Sequence, residues 1–437
     1  IYTTANTLSL HDALPIPYLA DAARRDSSTA VRLAAVGALQ RLGSVAAAEA
    51  LLDLASGANE EVAVAALGAL GAIGYHGTDE RLLRVLDAGA PDARTAAARL
   101  LARQEDPHVA QALVGAVRRA PSGPLLRALA PMRGRAVQAA MARGLSHEDP
   151  EVQLAAAEWL ASVEDERAPA ALRKFLAPDA AATFTDRAAA TLAALRDTSA
   201  VPVLVALLDT GRLSASTRRA LVEMAGSLGL QEAGPALVKI LWRGLAEPAL
   251  LRQPEERALW AAALQAAGAV GPVWSPLIEN AVGPLPTNSP YVPALMALRA
   301  QGLPGFFAEL WRSPLPDDLR RQSVLPYARM RGAAAAPQLA ELLESPVLQG
   351  PAMQALAEAG AVETLSAALR GGTPEARAAA AEALGATGEP RAVPVLQPLL
   401  RDGDPFVRCE AAWALAALTR QAVLYVDHLG ETREATP

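Results

Sequence analysis

Apolar residues along this chain recur at the spacing of short amphipathic helices that are separated by polar turns. The stretch from Arg401 to Arg420 shows the pattern, with Asp402 and Asp404 followed by Pro405 and then a stripe of alanine and leucine. An aspartate directly before a proline is typical of the first turn of a helix. Apolar residues three and four positions apart give that helix one buried face. The stretch therefore predicts a single helix with a capped beginning.

The same pattern returns along the chain at a nearly constant interval. Its versions place a polar residue, usually arginine, at one matching position: Arg32, Arg94, Gln153, Arg187, Arg218, Arg257, Arg320, Arg377 and Arg408. A second kind of helix begins with a proline, at Pro169, Pro202, Pro235, Pro337 and Pro394. Arg187 and Arg218 lie 31 positions apart, as do Arg377 and Arg408. That length accommodates two short helices and two turns, so each repeat predicts one helical hairpin that buries its apolar faces by stacking on its neighbours.

Repetition at this period predicts an all-α fold, an α-solenoid. We expect a right-handed superhelix of stacked antiparallel hairpins, with roughly 13 repeats of about 31 residues each. Composition favours the same fold, because hydrophobic residues make up 52% of the chain while aromatic residues make up only 4%. Small side chains let helices approach closely, whereas a sheet-rich protein would use more β-branched and aromatic residues.

The regularity of the pattern divides the chain into five segments. They are residues 1–16, which we expect to be an artefact, regular helical repeats at 17–243, an irregular proline- and aromatic-rich part of the repeats at 244–330, further regular repeats at 331–420, and a C-terminal cap and tail at 421–437. In the last segment, Leu424, Tyr425 and Leu429 predict the start of a final helix that covers the open end of the array.

The beginning of the chain has an unusual composition. Thr7 to Ile16 reads TLSLHDALPI, which resembles the translation of a sequencing adapter. We therefore expect residues 1–16 to be an artefact, the native sequence to start near Pro17, and the true N-terminus to be missing; the competing interpretation is a native N-terminal arm. His11 and Asp12 accordingly enter no mechanism.

Charge and cysteine content narrow the classes of function. The formal net charge is −6 and no basic excess exists, which disfavours a nucleic-acid binder. The single cysteine, Cys409, is predicted to be a buried small hydrophobe. No uninterrupted apolar run reaches the roughly 20 residues of a membrane span. We expect a cytoplasmic, monomeric protein.

The segment from Asp402 to Leu415, with the pattern DxDxxVRxxAAxAL, resembles the HEAT-repeat family, in particular short bacterial repeats related to those of phycobilisome lyases. The resemblance implies a scaffold with extended binding surfaces. It also implies that the aspartate caps the second helix and that the arginine reaches acidic groups of a neighbouring repeat, so these residues form an internal ladder. Another member of the family, deoxyhypusine hydroxylase, uses several His-Glu pairs as iron ligands. Here His147-Glu148 is one such pair, which cannot supply a dinuclear site, and no metal or cofactor is predicted.

Large aromatic residues crowd into the irregular segment of a chain that otherwise has few. They are Trp260, Trp274, Tyr291, Phe306, Phe307, Trp311 and Tyr327. Aromatic residues dominate binding hot spots, so these side chains are the candidates for partner binding. The alternative is that the rings fill gaps in the core where loops lengthen.

Together these features predict a non-enzymatic scaffold or adaptor. It binds a protein or peptide on the concave face, which the second helices of the hairpins line with their exposed positions. An alternative from another class is an enzyme-associated HEAT protein of the chromophore-lyase type. Nucleic-acid binding ranks below both because no basic stripe is present.

Overall fold

The computed structural model describes residues 15–77, 80–104, 106–208, 210–271, 285–286 and 289–437. Its residues cluster into two compact units, which meet in sequence at Asp197 and Thr198. Within each unit, helices alternate between two layers. The first helix of each hairpin packs on the first helices of neighbouring hairpins, and the second helices pack on one another in the same way.

The first unit contains six successive hairpins. Their first helices are α1 (Pro15–Arg25), α3 (Val45–Ala55), α5 (Glu80–Ala88), α7 (Pro107–Arg119), α9 (Arg135–Gly144) and α11 (Ala168–Arg173), the last extended by the 3-10 turn Lys174–Leu176. Their second helices are α2 (Thr29–Leu42), α4 (Glu60–Ala72), α6 (Pro91–Leu101), α8 (Gly123–Ala128), α10 (Pro150–Ala161) and α12 (Ala182–Ala194). Ile16 is buried in α1, so the helical array begins before the predicted start at Pro17.

The second unit also contains six described hairpins. Their first helices are α13 (Val201–Leu207), α15 (Gly234–Ala246), α17 (Val292–Leu310), α20 (Ala336–Glu341), α22 (Val362–Ala368) and α24 (Val393–Leu396). The second helices are α14 (Ala215–Leu228), α16 (Pro254–Val270), the pair α18 (Asp317–Gln322) and α19 (Val324–Arg331), then α21 (Gln349–Glu358), α23 (Pro374–Ala386) and α25 (Pro405–Thr419). Short 3-10 turns at Thr198–Ala200, Gln231–Ala233, Leu250–Arg252, Gly332–Ala335, Leu342–Glu344, Pro390–Ala392 and Gln397–Arg401 join or extend these helices. The predicted α-solenoid of helical hairpins is confirmed.

Local sequence signals explain where the helices begin. The proline-led helices start as predicted, with the proline in the first two positions of α11, α13, α15, α20 and α24. Asp404 caps α25, since its Oδ1 accepts hydrogen bonds from the backbone nitrogens of Phe406 at 2.9 Å and Val407 at 3.3 Å. Asp106 and Asp149 cap α7 and α10 in the same manner. These caps satisfy nitrogens that have no partner inside the helix.

Several glycines inside the helices allow neighbouring helices to pack closely. Gly226, Gly268 and Gly385 lie inside second helices, and each meets the backbone of the next second helix. A Cβ atom added at Gly385 would lie 2.7 Å from the Cα atom of Ala414. The missing side chain therefore lets α23 and α25 approach more closely than any other residue would allow.

The C-terminal segment differs from the predicted final helix. It forms an antiparallel hairpin of β1 (Val423–Val426) and β2 (Thr432–Ala435), in which Val423 pairs with Ala435 and Val426 with Thr432. β-Branched and aromatic residues favour a strand. Asp427 accepts backbone hydrogen bonds from Leu429 and Glu431, which stabilises the turn between the strands. The prediction of a helix was wrong. Burial along β1 alternates from one residue to the next, which is the two-residue period of a strand with one covered face.

The hairpin covers the last helix of the array. Ala435 packs against Ala412 and Ala416 of α25, with Val423 and Tyr425 beside them. The hairpin therefore occupies the side of α25 on which a further repeat would stack.

Candidate functional site

The aromatic residues predicted to bind a partner lie in the core of the second unit. Exposed fractions are 1% for Trp260, 7% for Tyr291, 0% for Phe306 and Phe307, 7% for Trp311 and 3% for Tyr327. Trp274 lies outside the described residues. A partner could not contact these six rings without opening the core, so their assignment as a partner surface is corrected to core packing.

Specific contacts account for this burial. The Nε1 atom of Trp260 donates a hydrogen bond to the carbonyl oxygen of Leu241 at 3.1 Å. Trp311 and Tyr327 meet edge to face with ring centroids 4.9 Å apart. The helix α17 is broken at Gly302, and beyond the break the buried rings of Phe306 and Phe307 meet edge to face with centroids 6.0 Å apart.

The predicted ladder of aspartate and arginine is structural. Arg377 of α23 donates two hydrogen bonds to the carboxylate of Asp402, at 2.9 and 3.2 Å, and thereby ties its own repeat to the next one. Burial alone would raise the pKa of Asp402, but the hydrogen bonds and charge of Arg377, the backbone hydrogen bond from Asp404 and the charge of Arg408 together hold that pKa below its ordinary value. In the first unit, Arg187 reaches Glu158 of the preceding repeat at 2.9 Å. These pairs connect repeats and leave no charge free for chemistry.

The last arginine of the ladder has a different partner. Arg408 donates to the carbonyl oxygens of Asp402 at 2.8 Å, Val426 at 2.7 Å and Asp427 at 3.1 Å. No described repeat follows α25, and the guanidinium group instead fixes the β-hairpin onto the end of the array. Cys409 lies beside it, partly buried, with its Sγ atom 3.5 Å from the hydroxyl of Tyr425.

A different set of side chains projects from the second helices of the last three described repeats. We name it the acidic–aromatic face and define it by Met353, Glu375, Glu382, Phe406, Glu410 and Trp413. Phe406 is 71% exposed and Trp413 is 46% exposed. Both are large rings on the surface of a chain in which aromatic residues are rare.

The acidic–aromatic face contains two neighbouring grooves. One, with a volume of about 390 Å³, is lined by Met353, Glu375, Glu382, Phe406 and Glu410 among others. The other, about 440 Å³, is lined by Met353, Glu382 and residues of α21 and α23. Their walls combine small residues of α23, such as Ala378 and Ala379, with the long side chains of Met353 and the glutamates.

The electrostatics of the face are one-sided. Within the described part of the chain, no ion pair involves Glu375, Glu382 or Glu410. Burial raises the pKa of Glu410 above its ordinary value, and the negative charge of Glu382 adds to this effect. Arg377 and Arg408 are the cations of the same helices, but each is engaged by the ladder or the hairpin. Arg377 lies close enough to Glu375 for that carboxylate to help raise its pKa, whereas the one charge that shifts the pKa of Glu410 is the negative charge of Glu382.

The sequence holds a signal for this face that the repeat pattern obscured. When α25 is placed in register with earlier second helices by its Val-Arg pair, Glu410 matches Ala34, Ala65 and Ala379. In the same register Trp413 matches Gly37, Gly68 and Glu382, and Phe406 matches Ala30, Glu61 and Glu375. Three outward positions of the last repeat thus depart from what the other repeats carry, while its buried positions keep to the pattern.

Neither a metal-binding cluster nor a membrane-spanning helix is found among the described residues. Across the ranges that the structure describes, no group of three or more His, Cys, Asp or Glu side chains could hold a metal ion. None of the helices described is long and apolar enough to cross a bilayer. The Nδ1 atom of His147 accepts a backbone hydrogen bond from Asp149 at 3.0 Å, which is a turn contact before α10.

Comparisons with known proteins find repeats in two parts of the chain. Residues 362–429 match the model of HEAT repeats, and residues 152–178 and 186–210 match that of the PBS lyase HEAT-like repeat. No curated protein sequence matches the chain.

Solved structures with low sequence identity resemble the chain. A structure of Kap95p with RanGDP is 12% identical with a TM-score of 0.49, and the match covers 96% of this chain and 64% of that one. Importin beta is 14% identical with a TM-score of 0.46, covering 93% and 62%. The complex of CpcE and CpcF of phycocyanin lyase from Nostoc sp. PCC7120 is 20% identical with a TM-score of 0.35, covering 53% and 94%. The chain spans less than two thirds of the Kap95p and importin beta chains, and likeness at these TM-scores assigns no partner or activity.

Proposed function

Because this chain carries repeats of the HEAT family, we propose that it is a scaffold that binds a segment of another protein on its acidic–aromatic face. The observation that carries the proposal is the stripe of Phe406, Glu410 and Trp413 on α25. Burial of a core does not require two exposed rings, and neither does helix capping.

The position of the stripe supports a binding role. Residues 406, 410 and 413 follow one another at intervals of four and three, so they lie along one side of a helix. Exposed aromatic side chains supply large contact areas at interfaces, and a groove beside them lets a partner bury both rings at once. Phe406 lines one of the adjoining grooves, and Trp413 is exposed on the same side of α25.

The energetic cost of Glu410 also supports the proposal. A carboxyl group that is partly buried beside a second carboxylate destabilises the folded chain. Several earlier repeats carry alanine at this position, as at Ala34, Ala65 and Ala379, so the helix can be built without that cost. A group that weakens the fold and yet occupies a surface groove is explained by binding.

Peptide display on the full chain tests this function. Phage-displayed random peptides are selected against the unaltered chain and counter-screened against a triple variant, Phe406→Ala, Glu410→Gln and Trp413→Ala. The matched control combines Val203→Ala, Glu232→Gln and Met296→Ala, which removes two exposed apolar side chains and one exposed carboxylate elsewhere in the same unit.

Enriched peptides should bind the unaltered chain and the control equally and lose at least about tenfold in affinity for the triple variant, as expected when interface hot spots are truncated. Circular dichroism verifies that all three proteins are helical. Peptides that bind the triple variant as well as the unaltered chain would remove the acidic–aromatic face from the proposal.

A second candidate function is that of an enzyme-associated protein of the chromophore-lyase type. The observation that favours it is the match of residues 152–178 and 186–210 to the PBS lyase HEAT-like repeat. Incubation of the purified chain with a free bilin tests it, since binding would shift the visible absorbance of the pigment. An unchanged spectrum at saturating protein would count against this candidate.

A further inference from the structure

We propose that Glu410, flanked by the rings of Phe406 and Trp413, is a subsite for the guanidinium group of an arginine in the bound segment. The inference rests on the proposed function, because it names the chemistry of the segment that the acidic–aromatic face would hold. It commits the partner to a cationic segment, and a purely apolar or an acidic segment would not fit.

The three side chains are placed as such a subsite requires. On a helix, side chains three and four positions apart are neighbours, with Cβ atoms about 5–6 Å apart. Glu410 therefore lies between the two rings along α25. A planar guanidinium can bond to a carboxylate through two of its N–H groups while its face or its methylene stem lies on an aromatic ring. Phe406 and Trp413 expose enough of their rings to receive it.

The charge around Glu410 lacks a compensating cation within the described chain. Glu382 and Glu375 stand on the neighbouring helix α23, and both line the same groove as Glu410. Asp404, at the beginning of α25, also lines this groove, although its carboxylate is used to cap the helix. Burial and the charge of Glu382 raise the pKa of Glu410, which means that its ionised form is poorly stabilised by what surrounds it.

The nearest arginines cannot supply that charge from within the chain. The guanidinium of Arg408 donates to the carbonyl oxygens of Val426 and Asp427, and that of Arg377 to the carboxylate of Asp402. Both have fixed partners on the side of the helices that joins the repeats. Neither arginine is therefore available to pair with Glu410.

Other occupants fit less well on physical grounds. An apolar side chain pressed onto the two rings would bury the Glu410 carboxylate further without giving it a hydrogen bond, which is costly. An anionic segment would be repelled by the carboxylates of the groove. Lysine would satisfy the charge, but its compact, strongly hydrated ammonium group stacks on rings less well than a guanidinium does.

A cycle of substitutions in protein and peptide tests the subsite. The probes are three fluorescein-labelled peptides of identical length, built from glycine, leucine and a varied residue that is arginine, citrulline or lysine. Citrulline keeps the shape of arginine and removes its charge. Binding is measured by fluorescence anisotropy at fixed ionic strength with the full chain, with Glu410→Gln and Trp413→Ala, and with the control Glu363→Gln, which removes an exposed carboxylate on another helix.

The full chain and the Glu363→Gln control should bind the arginine peptide about tenfold more tightly than the citrulline peptide. Glu410→Gln should reduce this preference to less than about threefold, and Trp413→Ala should weaken the arginine peptide more than the lysine peptide. An arginine preference that survives Glu410→Gln would overturn the subsite, and equal affinity for the lysine and arginine peptides would overturn the guanidinium assignment.

The same measurements distinguish failure of the subsite from failure of the proposed function. If the arginine and citrulline peptides bind equally and Trp413→Ala weakens both, the face binds peptides through its rings and the cationic subsite is wrong. If no peptide responds to either substitution on the face, including those enriched by display, the proposed function itself is wrong.

Discussion

Replacement of Gly385 by alanine tests whether close contact between second helices determines stability. Gly385 lies inside α23, where it faces Ala414 of α25. An added Cβ atom would lie 2.7 Å from both the Cα and the Cβ atom of Ala414. Neither atom can rotate away, since one belongs to the backbone and the other is fixed to it. Relief requires that the two helices separate.

Two opposing effects set the magnitude. Alanine is favoured over glycine inside a helix by about 1 kcal/mol. Overpacking costs about 1–3 kcal/mol, and the upper end applies here because the neighbour is backbone. The expected result is a net loss of about 2 kcal/mol in the free energy of unfolding.

Gly68 provides the matched control. It lies inside the second helix α4, and an added Cβ atom would find nothing within 4 Å. Gly68→Ala should therefore stabilise the chain by about 0.5–1 kcal/mol through helix propensity alone. Urea denaturation followed by circular dichroism measures both variants against the parent chain. If Gly385→Ala also proves stabilising, the close approach of α23 and α25 does not constrain the fold, and the packing argument is refuted.

Three further predictions concern charge and core contacts. Asp402→Asn should lower the free energy of unfolding by about 2 kcal/mol, because it leaves the largely buried guanidinium of Arg377 without its charged partner. Since the folded pKa of Asp402 is lowered, the parent chain should lose this advantage as pH falls below about 4. Denaturation at several pH values measures the difference between the two chains, and a difference that persists in acid would contradict the prediction. Glu410→Gln should raise the thermal midpoint at pH 7 by an amount worth less than about 1 kcal/mol. Because the pKa of Glu410 is raised, the folded chain binds this proton more tightly than the unfolded chain does, and the stability of the parent falls as pH rises. The thermal midpoints of parent and variant should therefore converge in acid. A pH series of melts in which the difference between the midpoints stays constant would contradict this. Trp260→Phe should lower the free energy of unfolding by about 1–2 kcal/mol, because the carbonyl oxygen of Leu241 loses the hydrogen bond that the indole donates. Peptide binding on the acidic–aromatic face should stay unchanged. A loss of binding at full stability would instead indicate that Trp260 contacts the partner.

The helical hairpins were predictable because their signals are local. An aspartate before a proline and an apolar stripe at helical spacing both lie within one helix. The fixed period between arginines then gives the length of one repeat. The resemblance to HEAT repeats implied that the arginine reaches acidic groups of a neighbouring repeat, and Arg377 does so with Asp402. Repetition thus converts local pattern into tertiary contact.

Burial of the aromatic residues could not be read in this way. A ring such as Trp260 has the same local sequence signal whether it fills a space between helices or faces a partner, and only the packing of distant helices decides between the two. The glycines pose the same problem. A glycine near the end of a helical stretch, such as Gly385, is usually interpreted as a helix terminator. In the structure it lies inside α23, where the close contact with Ala414 of the next repeat requires a residue without a side chain.

The acidic–aromatic face was not predicted from the sequence, because the predicted partner residues all lie in the segment where the repeat pattern weakens. An irregular segment must repair its own packing, so large residues there are explained by the core. The informative departures are those that leave the core positions intact and change only the outward ones, as Phe406, Glu410 and Trp413 do in α25.

The end of the array brings these observations together. Interior ladder arginines such as Arg187 and Arg377 bond to a neighbouring repeat, Arg377 to Asp402 of the next one. Arg408 instead bonds to the carbonyl oxygens of the β-hairpin, and Ala435 covers the alanines of α25 that a further repeat would otherwise cover. The helix α25 is thereby packed on one side by α23 and on another by the hairpin, while Phe406 and Trp413 stay exposed. A change at these exposed positions would leave the packed sides of α25 as they are.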